Sequence, residues 1–324
     1  MRPQNPAIKM GLVVIAVLAM TLTFAPAVQA TNGYFTHGYG TTSKALAGAG
    51  VAFVQDTLVA GTNPAGLAFL GKRYDIGVSV FSPTRSYTVE GNPSGFPGTF
   101  GLAPGKVESE SNYFYIPQFG ANWKLNESNY VGLVAYGHGG MNTDYPTNTF
   151  GAESPTGVNL EQLFVGVPWA YNYNGQHAFS IMPIFVYQTF EAQGVSSFAP
   201  FSSDPANLSN NGKSTSTGYG AKLGYLGQFG EKFNLGLSYQ TEMKMGDFSD
   251  YAGLFAEQGG FNVPSSFTVG FAVKPSPKFA FLMDYQKIYY SDVRSINNPL
   301  LPNLQQARLG DDNGAGFGWQ DMDV

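Results

Sequence analysis

The sequence contains no cysteine, which excludes both a disulfide framework and a thiolate metal site. Histidine is nearly as scarce: there are three, His37, His138 and His177, with no close pair to hold a metal. No Gly-x-Ser-x-Gly elbow accompanies them, so a Ser-His hydrolase has no framework, and neither enzyme activity nor a cofactor is expected. Charge is thin as well, at 12% of residues against about 25% in ordinary soluble domains. The net charge of −5 comes without any basic stripe, so nucleic acid is not an expected partner. Beyond residue 30 no apolar run approaches the roughly 20 residues that a membrane helix needs.

What is abundant points elsewhere. Aromatics make up 15% of the chain, with 19 Tyr and 26 Phe, beside 41 Gly. Few charges, many rings and many glycines fit strands that face lipid on one side and a lumen on the other. Residues 1–30 read as a signal peptide. Arg2 and Lys9 form a basic start, Met10 to Phe24 an apolar run, and Val28-Gln29-Ala30 a small-residue cleavage site, so the mature chain would begin at Thr31.

Period-two alternation is clear in several stretches. In Phe233 to Gln240 the odd positions are apolar and the even ones small or polar, and Phe267, Val269, Phe271 and Val273 repeat the phase. Strands are expected near Lys72–Tyr87, Val107–Lys124, Asn129–His138, Asn159–Tyr173, Gln176–Phe190, Thr215–Phe229, Glu231–Met245, Asn262–Lys274 and Lys278–Ser291, with a tenth starting near Phe317. Alternation alone fits a soluble sandwich equally well. The connections separate the two, because tight turns alternate with long loops, as in a bacterial outer-membrane barrel. Trp123, Trp169, Tyr171, Tyr173, Tyr289 and Tyr290 sit near strand ends, where interfacial girdles belong. An antiparallel transmembrane β-barrel over 71–324 is therefore expected. A sheet that stops a few residues into its tenth strand would leave an open edge in lipid, so further strands are expected beyond Val324. Residues 31–70 differ in character: rich in Gly and Ala, poor in charge, and ending in an Asn-Pro turn, they read as a compact helical or irregular hatch.

The Gly/Ala segment leading into Asn63-Pro64-Ala65-Gly66-Leu67 is followed by Tyr251-Ala252-Gly253-Leu254-Phe255, Val263-Pro264-Ser265 and Gly316-Phe317-Gly318-Trp319-Gln320-Asp321. In this order they resemble the FadL/TodX family of outer-membrane transporters for long-chain fatty acids and aromatic hydrocarbons. That resemblance implies a fourteen-stranded barrel, about ten strands of it present here, plugged by an N-terminal hatch. It also implies passive uptake of a hydrophobic small molecule by a monomer in outer-membrane lipid. Capture would fall between the loops Glu191–Ser214 and Gly246–Phe261. These loops carry Phe198, Phe201 and Leu208 on one side, and Phe248, Tyr251, Leu254, Phe255 and Phe261 on the other. Asp250 to Gln258 is expected to form one short amphipathic helix. The same side chains could equally pack the loops onto each other.

By the same resemblance, the hatch would shift around Asn63, Pro64, Ala65 and Gly66, and ligand would leave sideways where the third strand bends at Gly137, Gly139 and Gly140. Clustered glycines suit a bend, and they also suit the start of a long loop. A fatty-acid carboxylate would favour a lumen cation, yet the end of the fifth strand, Tyr187 to Glu191, offers none. Lys222, Lys244 and Lys274 have inward phases and could serve instead. A general porin or a surface adhesin on the same barrel remains the alternative.

Overall fold

The computed structural model describes residues 32–93, 95–96 and 99–324. The expected signal peptide, residues 1–30, lies outside them. Fourteen strand segments run through the chain: β1 (Arg73–Phe81), β2 (Ser86–Val89), β3 (Gly105–Glu108), β4 (Phe114–Lys124), β5 (Asn129–Tyr145), β6 (Thr156–Gly166), β7 (Trp169–Asn172), β8 (His177–Gln193), β9 (Ser214–Phe229), β10 (Phe233–Gln240), β11 (Lys244–Met245), β12 (Ser266–Ser276), β13 (Phe279–Ile288) and β14 (Met322–Asp323). Ten of them follow one antiparallel path, β1-β4-β5-β6-β8-β9-β10-β12-β13-β14. Segment β7 continues β6 along β5 and β8, and β11 runs beside β9. No pairing joins β1 to β13 or β14 among the described residues.

Local chemistry explains where the strands stop. Asn126 Oδ1 accepts from the backbone N–H of Ser128 and Asn129, closing the β4–β5 turn. Asn174 does the same for Gln176 and His177, next to Gly175 at φ +81°. Strand β1 ends at Phe81, short of the expected Tyr87, because Pro83 cannot donate to the ladder. Ser86 to Glu108 then makes a separate two-stranded hairpin, so the second expected strand begins at Phe114 and not at Val107. Pro168 likewise splits the expected Asn159–Tyr173 strand into β6 and β7.

The faces sort as period two requires. Ile76 is 88% exposed, and Phe179, Ile181, Phe185, Leu223, Phe281 and Met283 also point outward. Positions between them turn inward, among them Gln118, Asn122, Ser180, Lys222, Asn234 and Thr268. Trp123 Nε1 donates to the Tyr74 hydroxyl at 2.8 Å near the short-turn end, and Trp169 and Tyr173 are exposed on the same rim. Tyr290 departs from the expected girdle. Strand β13 ends at Ile288, and the 3-10 turn Tyr290–Asp292 carries that ring inward, where its hydroxyl donates to Asn32 O at 2.6 Å.

Residues 32–70 hold the concave side. Two short helices, Gly40–Ala45 and Val59–Thr62, precede a 3-10 turn at Pro64–Phe69. Thr57 of this segment bonds to Asp75 on β1, and Gly50 bonds to Asp284 on β13. One small segment can reach both ends of the strand path only if the sheet curls around it. Phe317 to Asp321 does not open the tenth strand as expected; β14 begins at Met322 and pairs with Lys287 and Ile288. Phe317 and Trp319 instead pack as a tilted ring pair, their centroids 5.9 Å apart.

Candidate functional site

The hatch is fastened to the wall by polar side chains, because its irregular backbone leaves donors and acceptors that must be satisfied. Asn63 is fully buried. Its Nδ2 donates to Val51 O at 2.8 Å and to Tyr225 O on β9 at 2.9 Å, and its Oδ1 accepts from Ala65 N at 3.1 Å. Pro64, Ala65 and Gly66 are buried with it. Around the wall, Asn122 donates to the carbonyls of Leu67 and Leu70, and Asn234 to that of Ala52. Asp284 Oδ2 accepts from Gly50 N and Val51 N at 2.7 and 2.9 Å. Wall glycines give the hatch room to approach. A Cβ on Gly120 would overlap Thr57, one on Gly224 would overlap Asn63, and one on Gly236 would overlap the Val51 carbonyl. The cavity bounded by Tyr39, Phe53, Asp56 and Val59 measures about 20 Å³, room for a single water.

At the long-loop end, four of the expected capture residues meet. Phe248, Tyr251 and Phe255 pack on Phe190, a residue outside the expected capture set, and Phe261 joins them through Phe248 and Phe255. Phe255 lies 4.6 Å from Phe190 and 4.9 Å from Phe261, and Tyr251 meets Phe190 edge-on at 4.9 Å. All are buried, so the rings gain the added stabilisation of tilted and edge-on pairs. Phe198 is not part of this cluster. It packs with Phe100 and Phe150 from two other loops, at 5.9 and 5.5 Å. Phe201 is 49% exposed, and Leu254 packs both on the main core and on a smaller cluster of Leu208, Leu309 and Ala315. The expected helix over Asp250 to Gln258 is absent. A 3-10 turn, Ser249–Tyr251, is followed by a single turn in which Glu257 and Gln258 take positive φ. Backbone bonding from Glu257 and Gln258 to Asp311 and Gly310 of the last loop replaces helical pairing there.

From this cluster a run of ring contacts leads to the hatch. Phe261 lies 6.0 Å from Tyr34, which packs on Phe35, Tyr290 and Trp319. Phe35 meets His138 at 4.2 Å, and His138 stacks on Phe164 at 4.1 Å. Tyr39 completes the run: its hydroxyl hydrogen-bonds with His138 Nδ1 at 2.7 Å, and its ring lies 4.4 Å from Tyr136. Burial pushes the Tyr39 phenol well above its ordinary range, so it stays neutral.

The run ends at a break in the wall. Strand β5 does not stop at His138, as expected, but continues to Tyr145 through a register shift between Gly137 and Gly139. The extra residue of this bulge is His138 itself, which keeps the inward phase of Tyr136, and the regular alternation ends after it. Strand β4 pairs with β5 only from Gln118↔Tyr136 to Lys124↔Tyr130, while Phe114 to Pro117 pair with β1 alone. Above Tyr136 the β4–β5 ladder is therefore open. Hatch backbone fills the place: Thr36 N donates to His138 O and Gly140 N to Tyr34 O, both at 2.9 Å. A side chain at Gly139 would collide with the Tyr34 carbonyl.

The three lysines of inward phase are not equivalent. Lys222 is buried and donates to Gly61 O of the hatch, with its ammonium 5.7 Å from the Tyr39 ring centre. Lys274 lies over Phe53 at 5.1 Å. Lys244 faces outward beside Tyr219, because the irregular stretch between β10 and β11 shifts its phase.

Comparison with solved structures identifies the architecture. The Pseudomonas putida toluene transporter TodX superposes with a TM-score of 0.61 at 17% identity, covering 82% of this chain and 73% of that one. The Ralstonia pickettii toluene transporter TbuX gives 0.61 at 18%, covering 80% and 73%. A Pseudomonas aeruginosa FadL homologue gives 0.56 at 14%, covering 81% and 71%. No curated protein matches by sequence. The family model for outer membrane protein transport proteins (OMPP1/FadL/TodX) matches residues 16–322. With nearly the whole chain inside that match, and a hatch-bearing antiparallel wall of the same fold, the protein belongs to the OMPP1/FadL/TodX family of outer-membrane transport proteins.

Proposed function

We propose that this chain is a channel for passive, diffusion-driven uptake of hydrophobic small molecules, working as a monomer in outer-membrane lipid. The observation that carries this reading is the run of ring contacts from Phe190 and Phe255, through Tyr34 and Phe35, to His138 beside the β4–β5 break. A water-filled pore gives an apolar solute no gain over bulk water, whereas ring surfaces recover about 25 cal/mol per Å² of apolar area covered. Capture is assigned to Phe248, Tyr251, Phe255 and Phe261, with Leu254, Phe198 and Phe201 on the outer approach. Sites of similar chemistry in series let a ligand descend its own gradient without an energy source. The gate is the hatch, held at Asn63 to Gly66. The exit is lateral, at the break bordered by Gly137, Gly139 and Gly140. Toluene transporters among the structural neighbours support the substrate class.

Uptake of labelled toluene, a long-chain fatty acid and a hydrophilic sugar should be measured in cells lacking their own hydrophobic-compound channels. Selective entry of an apolar compound, unaffected by a protonophore, is expected. Sugar entry alone from an assembled barrel would refute this function.

A further inference from the structure

The conduit is not uniformly apolar. Where it meets the β5 bulge, three inward side chains carry buried polar atoms with no hydrogen-bond partner among the described residues: Tyr136 Oη, His138 Nε2 and Gln162 Oε1. Their residues are 1%, 1% and 4% exposed. They occupy one patch of wall. Tyr136 and His138 share the inner face of β5, Gln162 pairs with Gly139 on β6, and Phe164 packs against both Tyr136 and His138. Buried polar atoms without partners are rare and costly, and several in one patch call for an explanation. Tyr39 Oη and His138 Nδ1 share one hydrogen bond, so His138 Nε2 is an N–H donor in the tautomer where Tyr39 donates and an acceptor in the other, while Gln162 Oε1 is an acceptor and Tyr136 can act as either.

This set matches a hydroxyl, which both donates and accepts. It does not match a hydrocarbon, which would leave every atom unpaired. It is a poorer match for a carboxylate, since Gln162 Oε1 would face it as a second acceptor. Resting on the uptake function above, we propose that the waist formed by Tyr136, His138 and Gln162 binds the hydroxyl of a neutral oxygenated arene of the phenol class, its ring lying among Phe35, Tyr39 and Phe164. Hatch residues cover the patch and satisfy it only in part, Tyr39 meeting His138 at Nδ1 and Tyr34 facing Gln162, so a ligand bringing a hydroxyl stabilises the conformation in which the hatch segment has lifted.

The test measures equilibrium binding of 4-hexylphenol, hexylbenzene and 4-hexylbenzoate to the full chain in detergent, corrected for partitioning. Tyr136→Phe, which removes one oxygen, and His138→Phe are compared with the parent, with heat-modifiable migration confirming assembly. The phenol should bind about tenfold tighter than hexylbenzene, and in each variant the ratio of the two affinities should fall close to one. Equal binding of phenol and hydrocarbon, or tighter binding of the benzoate, would overturn the hydroxyl site and leave hydrophobic uptake standing. Binding of none of the three by an assembled barrel would overturn both.

Discussion

Replacing Asn63 by Ala tests whether the hatch is held by the wall or by itself. The side chain makes three hydrogen bonds in a fully buried setting, two to backbone carbonyls and one from Ala65 N. At about 1 kcal/mol net for each, Asn63→Ala should destabilise the ordered hatch by about 3 kcal/mol, about 1 kcal/mol of it from the single bond to the wall at Tyr225 O. That corresponds to a roughly hundredfold rise in the open population. Hydrogen exchange reads this directly. The amides of Gly66 and Leu70, bonded within the hatch to Asn63 O and Leu67 O, should exchange on the order of a hundred times faster. Amides in the β8–β9 ladder should not change, because Asn63 touches that ladder at a single carbonyl. Unchanged hatch exchange would show that Asn63 is not a fastening point. Acceleration spread equally over the strands would show that hatch and barrel open as one unit.

Three further outcomes are expected. Phe255→Ala removes the ring that joins Phe190 to Phe261 and should destabilise the loop cluster by about 3–5 kcal/mol; uptake of apolar substrate should fall while heat-modifiable migration stays intact. Ile181→Arg puts a charge on the outward face of β8, 43% exposed in the native wall, and should cost about 2–4 kcal/mol of barrel stability in lipid, measured by urea unfolding in vesicles. Burial raises the Glu153 carboxyl, but hydrogen bonds from Ser196, Asn210 and Ser209 more than offset this and hold it below the usual range. A depressed carboxylate stabilises its loop above the unfolded value and loses that contribution as pH falls through the folded one. Limited proteolysis of the loop at 194–213 should therefore speed up in acid, and Glu153→Gln should remove the pH dependence.

Much of the wall was legible because the strand period is local. Phe233 to Gln240 and Ser266 to Val273 alternate in the structure with the phase that their sequence shows. Errors arose where a non-local contact or a single extra residue intervened. Lys244 changed face because Thr241 to Met243 break the alternation, with Met243 bridging to Val263. Tyr290 left the expected girdle because the chain turns just after Ile288. Phe190 was the residue most open to discovery: it holds the inward phase of Gln188 at the expected end of its strand. Separation of Phe198 from Phe255 was not readable, since it depends on Phe100 and Phe150 from distant loops. Nor was the role of Tyr34 and Phe35, which carry no periodic signal.

The fastening of the hatch bears on the order of assembly. Its short helices have no side-chain caps, and the carbonyls of Ala52, Gly61, Leu67 and Leu70 are satisfied by Asn234, Lys222 and Asn122 from the wall. A segment that borrows its partners from strands as far apart as β4 and β10 has little reason to hold this shape before those strands have come together. The hatch must be cast late, with the curled wall as its mould. A barrel inserted without those lumen asparagines would then enclose a loose chain in place of a plug, and the lesion would surface first as a leaking membrane.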